Sequence, residues 1–128
     1  MRLLLDTHAL LWWWTDDARL SGTVRSLISN EKTEVLVSAA SAWEISTKHR
    51  LGKLGLADSL IQRYPALLAA DGFISLPITA EHALVAGSYR QPHRDPFDRM
   101  LAAQAEVERL PLASCDAALA QFGVEVVW

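Results

Sequence analysis

Arg2-Leu3-Leu4-Leu5-Asp6 runs straight into Thr7-His8-Ala9-Leu10-Leu11-Trp12-Trp13-Trp14. The apolar run is as long as a strand buried on both faces, and an aspartate closes it. Residues 9–14 read as a helix. Outward from this pair, strand-like and helix-like segments alternate. Strands are expected at 2–6, 34–38, 73–76, 112–114 and 124–127. Helices are expected at 9–14, 21–31, 40–51, 58–70, 79–87, 96–110 and 117–122, with 91–94 as a loop. Pro65 is placed to kink or split the helix at 58–70. Buried apolar strands alternating with helices predict an α/β fold with a mostly parallel sheet. In such sheets ligands sit beyond the carboxyl ends of the strands.

The 128 residues suit a single domain spanning 1–128. At 51% hydrophobic and a net charge of −3, the chain is too apolar and too weakly charged to be disordered. No uncharged stretch exceeds nine residues, as at 7–15 and 35–43, so no membrane span is expected. Only Arg2 precedes the leucines, and Asp6 interrupts them before they reach the length of a secretory signal. The single cysteine, Cys115, excludes an internal disulfide and any cysteine-based metal cage. A cytoplasmic protein is the expectation.

Three acids stand where acids are costly. Asp6 is the only carboxylate in residues 1–15, Glu44 the only charge in 35–47, and Asp116 the only charge in 110–124. A buried, isolated carboxylate must be capped, paired or metal-bound. Asp6 and Asp116 also fall at strand ends, where each could simply cap the following helix. Glu44 could pair with Lys48 four residues on, but Trp43 and Ile45 flank it, so its face reads as closed to water. A fourth acidic area is Arg94-Asp95-Pro96-Phe97-Asp98-Arg99. Asp95 before Pro96 reads as an N-cap, and Asp98 lies three residues beyond it.

Several carboxylates in one pocket cannot all stay ionised without a cation. Oxygen-only ligation suits Mg²⁺ or Mn²⁺, and the chemistry it supports is hydrolysis of a phosphodiester. Setting aside Asp6, Glu44, Asp95, Asp98 and Asp116 leaves 10 acids against 12 bases. The bases cluster as Lys48, Arg50 and Lys53 after Glu44, and as Arg90, Arg94 and Arg99 around the Asp95–Asp98 turn. Such clusters beside an acidic pocket are what a polyanionic substrate requires.

Four stretches carry a resemblance. They are Leu4-Leu5-Asp6-Thr7-His8; Ser38-Ala39-Ala40-Ser41-Ala42-Trp43-Glu44-Ile45; His93-Arg94-Asp95-Pro96-Phe97-Asp98-Arg99-Met100-Leu101-Ala102-Ala103-Gln104-Ala105; and Leu110-Pro111-Leu112-Ala113-Ser114-Cys115-Asp116. Together they resemble the PIN domain and, more narrowly, the VapC-type toxins of bacterial toxin–antitoxin pairs. The resemblance implies a three-layer α/β/α fold, with a parallel sheet of about five strands between helices. It implies a Mg²⁺- or Mn²⁺-dependent endoribonuclease, homodimeric and neutralised by a cognate antitoxin. Asp6, Glu44, Asp98 and Asp116 would then be the catalytic acids. Asp6, Asp98 and Asp116 would hold the metal, and Glu44 would orient or deprotonate the attacking water. Asp95 would be an additional acid beside them. Ser114 stands where the family usually has threonine and keeps the hydroxyl. Arg94 or Arg99 would steady the phosphate, unless Arg99 pairs with a neighbouring acid.

The alternatives are an aspartyl-phosphate enzyme and a non-catalytic RNA- or partner-binding module of the same fold. The first needs a late lysine beside the acids, whereas the last lysine here is Lys53. The presence of all four acids argues against the second. The histidines 8, 49, 82 and 93 lack zinc spacing, with His8 expected to cap or pack locally. Three consecutive tryptophans span roughly 200° of a helix. At least one ring of Trp12, Trp13 and Trp14 should therefore be exposed unless another chain covers it.

Overall fold

The structure, a computed structural model, describes residues 1–55 and 58–128. Five strands form one sheet: β1 (Arg2–Leu5), β2 (Glu34–Ser38), β3 (Ile74–Leu76), β4 (Leu112–Ala113) and β5 (Val126–Val127). Their order is β3-β2-β1-β4-β5, and every neighbouring pair is parallel. The helices are α1 (Thr7–Trp14), α2 (Gly22–Ser29), α3 (Ala39–Arg50), α4 (Asp58–Gln62), α5 (Tyr64–Ala70), α6 (Ala80–Ser88) and α7 (Pro96–Glu108), with a 3₁₀ turn at Ala117–Phe122.

Strand alternation creates two cores. Leu3 and Leu5 of β1, with Val35 and Val37 of β2, pack with Ala9 and Leu10 of α1, Val24 of α2 and Ile45 of α3. Leu4 and Leu36 point the other way, onto Leu101, Ala102 and Ala105 of α7 and Leu119 of the 3₁₀ turn. Side chains alternate faces along a strand, so one buried leucine run supplies both layers. The result is the expected α/β/α sandwich.

Boundaries differ in instructive ways. The helix expected at 58–70 is divided after Gln62, and Pro65 lies in the first turn of α5, where its missing N–H costs no helical bond. The last helix segment is 3₁₀, and its strand keeps only Val126 and Val127. The tryptophan expectation needs correction. All three rings are half-buried against this chain's own residues. Trp14 meets Tyr64 edge-on at 5.4 Å, Trp13 lies near Phe73, and both indole N–H groups donate to one oxygen of Asp71 at 3.2 and 2.9 Å. Trp12 packs on Trp128 with ring centroids 5.8 Å apart. The exposed tryptophan is Trp43, at 61%.

Candidate metal and phosphodiester site

From β1 the chain continues to β2 and β3 on one side, while β4 and β5 extend the sheet on the other. This divergence makes the carboxyl ends of β1 and β4 the crevice where such sheets bind ligands. Asp6 and Asp116 follow those two ends. The amide of Asp6 donates to the Ala113 carbonyl at 3.0 Å, which locks the two strand exits together. Asp6 also caps α1, accepting from the Ala9 amide at 2.8 Å. Asp116 caps the 3₁₀ turn through the Ala118 amide at 3.0 Å, and its own amide donates to Ser114 Oγ at 3.0 Å. Capping and facing the pocket are therefore compatible for both acids.

Glu44 reaches the same place from the second turn of α3. The Thr7 hydroxyl donates to Ser41 Oγ at 3.0 Å and ties α1 to α3 there. Asp98 arrives from the first turn of α7. Asp95 caps that helix, accepting from the Phe97 amide at 2.9 Å and, at 3.4 Å, from Asp98. One hollow of about 180 Å³ is lined by Asp6, Glu44, Asp95, Asp98 and Asp116, with His8 and Cys115 at its wall. All five acids singled out from the sequence thus share one pocket.

Electrostatics follow from that gathering. Burial raises the Asp6 carboxyl to about 6, against lowering by the Ala9 amide, the Ser114 hydroxyl and His8, and with further raising by Asp98. Asp98 is also raised, first by burial and then by the charges of Asp95 and Glu44, while a hydrogen bond from His93 opposes the shift. Two carboxyls held above their ordinary range in a shared void fit a site completed by a cation. Ligand atoms of His93, Asp98 and Asp116 lie within 4.8 Å of one another, whereas Asp6, expected as a ligand, lines the same hollow without joining that group. This oxygen-rich donor set suits a hard divalent cation.

Three neighbours need comment. His93 Nε2 lies 2.9 Å from Asp98 Oδ2. In the sequence His93 stands only as one of the basic groups around the Asp95–Asp98 turn, and its place just before the Asp95 cap is the clue to this contact. Glu44 is buried, as its apolar neighbours suggested, yet it also pairs with Lys48. Burial lowers the Lys48 ammonium, but Glu44, Asp95 and Asp98 outweigh it and the net shift is upward. Arg99 pairs with no acid among the described residues and does not line the acidic hollow. Its guanidinium donates to the carbonyls of Ala86, Tyr89, Gln91 and His93 at 2.6–3.2 Å. Arg94 is exposed and, like Arg99, does not line the acidic hollow.

The PIN domain sequence profile matches residues 3–125. Ribonuclease VapC16 of Mycobacterium tuberculosis is 34% identical over 59 residues, an alignment covering 46% of this chain and only 40% of that relative's length. VapBC2 from Rickettsia felis, solved with a DNA fragment from its promoter, superposes with TM-score 0.72 at 12% identity, covering 100% of this chain and 99% of that one. VapBC-1 from nontypeable Haemophilus influenzae gives 0.68 at 14%, covering 99% and 97%. FitAcB from Neisseria gonorrhoeae gives 0.63 at 23%, covering 98% and 96%. At these identities the structural likeness is one of fold.

Proposed function

Because this chain belongs to the PIN domain family, we propose that it is a divalent-metal-dependent endoribonuclease, the toxin of a toxin–antitoxin pair acting in the cytoplasm. One observation carries the reading: acids from four separate segments line a single hollow at the sheet's carboxyl edge. Mg²⁺ or Mn²⁺ is the cofactor we assign to it. When bound, the ion supplies charge neutralisation and activation of water.

The residues divide the work. Asp6, Asp98 and Asp116 hold the ion. His93 orients Asp98 through its hydrogen bond, as supporting partners of ligands do. Asp95 fixes the start of α7 and so the position of Asp98. Ser114 holds the turn that carries Asp116. Glu44 orients the attacking water or takes its proton, and its ion pair with Lys48 fixes the carboxylate in place. Attack on phosphorus breaks the bond to the 3′ oxygen, which leaves as a hydroxyl while the phosphate stays on the 5′ side. Arg94 meets the phosphate.

The partners we assign are RNA, a cognate antitoxin and a second copy of the chain. The VapBC and FitAcB assemblies, in which relatives of this fold were solved, support the antitoxin. No described helix is long and apolar enough to cross a membrane.

The test is cleavage of total RNA by purified, antitoxin-free protein, with cut ends mapped beside Asp98→Ala. Cleavage with Mg²⁺ that disappears in EDTA and in Asp6→Asn supports the proposal. Tight RNA binding without cleavage in metal-replete protein overturns it in favour of a non-catalytic binding module.

A further inference from the structure

His8 belongs to two hollows. One is the acidic pocket. The other, of about 410 Å³, opens beside it along α1 and is lined by His8, Trp12, Thr15, Asp17, Arg19 and Lys53, among others. Its size falls within the roughly 300–1,000 Å³ of ligand pockets. The chemistry of its wall changes sharply from that of its neighbour. The exposed His8 ring stacks on Trp12 with centroids 5.4 Å apart and planes 27° from parallel. The Arg19 guanidinium carbon lies 4.9 Å from the Trp12 ring centroid. Asp17 fixes that guanidinium with two bonds, at 2.8 and 3.1 Å. Asp17 offsets the charge of Arg19, so the net positive charge of the wall comes from Lys53, which makes no ion pair among the described residues.

Aromatic faces beside cations are how proteins hold single-stranded nucleic acid without reading its sequence. Here that combination begins where the acidic pocket ends. We propose that this hollow is the subsite for a nucleotide adjoining the scissile phosphate: its base packs against His8 and Trp12, and its backbone phosphate meets Lys53 and Arg19. The substrate class is single-stranded RNA, and the subsite rests on the ribonuclease reading above. One turn of α1 separates His8 from Trp12, so the same helix that Asp6 caps sets the register between stacked base and cleavage centre.

Steady-state cleavage of a single-stranded oligoribonucleotide tests this, with a second substrate that is abasic at the nucleotides flanking the mapped cut. Trp12→Leu keeps apolar bulk but loses the ring, and is expected to raise KM about fivefold or more on the intact substrate. Trp12→Phe should restore most of that loss. Lys53→Ala, at an exposed position, should raise KM and flatten its salt dependence. On the abasic substrate, Trp12→Leu and wild type should converge. Equal losses for Trp12→Leu and Trp12→Phe, or equal losses on both substrates, would show a structural role and overturn the subsite. Unchanged KM in Trp12→Leu and Lys53→Ala, with wild type cleaving normally, overturns the subsite alone. No cleavage of any RNA by wild type overturns the ribonuclease reading and the subsite with it.

Discussion

Asp6 caps α1 with its carboxylate while burial holds that same carboxyl at about 6, well above its ordinary value of 3.8. The folded state therefore binds a proton more tightly than the unfolded chain. Between those values stability falls as pH rises, and at pH 7 the ionised group costs on the order of 2–3 kcal/mol. Asparagine caps a helix as well as aspartate does. Asp6→Asn should thus raise the stability of metal-free protein by about 1–3 kcal/mol at pH 7. The gain should shrink towards pH 4, and activity should be lost. Thermal melts in EDTA across that range check the sign. His93 calls for a different experiment. If it orients Asp98, His93→Ala should weaken metal affinity by roughly 10- to 100-fold with little change in fold, measurable by titrating Mn²⁺ against activity. The acids were legible because an isolated charge in apolar sequence demands an explanation. His93 was not, because a histidine in a polar loop is locally unremarkable and acquires meaning only when α7 brings Asp98 beside it.

The α6–α7 pair illustrates what sequence periodicity conveys and what it leaves out. The entry to α7 was readable from Asp95-Pro96, since cap and proline leave few conformations open. The entry to α6 was readable from Thr79, which forms a reciprocal cap with His82. The join between these helices was hidden, because it rests on long-range polar contacts. Buried His82 meets Glu108 at 2.9 Å, Tyr89 donates to Glu106 at 2.6 Å, and Arg99 gathers four carbonyls from α6 and the loop before α7. A guanidinium offers a planar fork of donors that no other side chain reproduces. Arg99→Met keeps the length but orphans those carbonyls, and should cost about 2–4 kcal/mol. Urea denaturation would show it as a lower midpoint. Because His93 supplies one of the carbonyls, the variant should also lose activity below its unfolding transition, although Arg99 does not line the acidic pocket. The strand order was equally out of reach. Residues 2–6 declared a buried strand, but nothing local says that β1 lies between β2 and β4; only the pairing of its neighbours does.

Across the whole molecule, the net charge of −3 conceals an uneven distribution, with five acids in one hollow and basic groups beside it. Bringing those acids together opposes folding, so the fold is under electrostatic stress that a divalent ion should relieve. A ligand that binds only the folded chain stabilises it by about 2.7 kcal/mol at a hundred times its dissociation constant. For a domain of this size that corresponds to a rise in Tm of roughly 5–15 °C. Mg²⁺ or Mn²⁺ should produce such a rise in the wild type and little or none in Asp98→Asn. The pH dependence gives the sharper discrimination. Ligation requires ionised carboxylates, so protons compete with the ion wherever the Asp6 carboxyl, at about 6, is protonated. The metal-induced shift should therefore be larger at pH 7.5 than at pH 5, the reverse of the trend that Asp6 imposes on the metal-free protein. Scanning calorimetry at both pH values, with EDTA and with millimolar Mg²⁺, measures the two slopes together. A Tm that ignores the ion at pH 7.5 would mean that Lys48 and the local caps already balance these charges, and the pocket would then have no need of a metal.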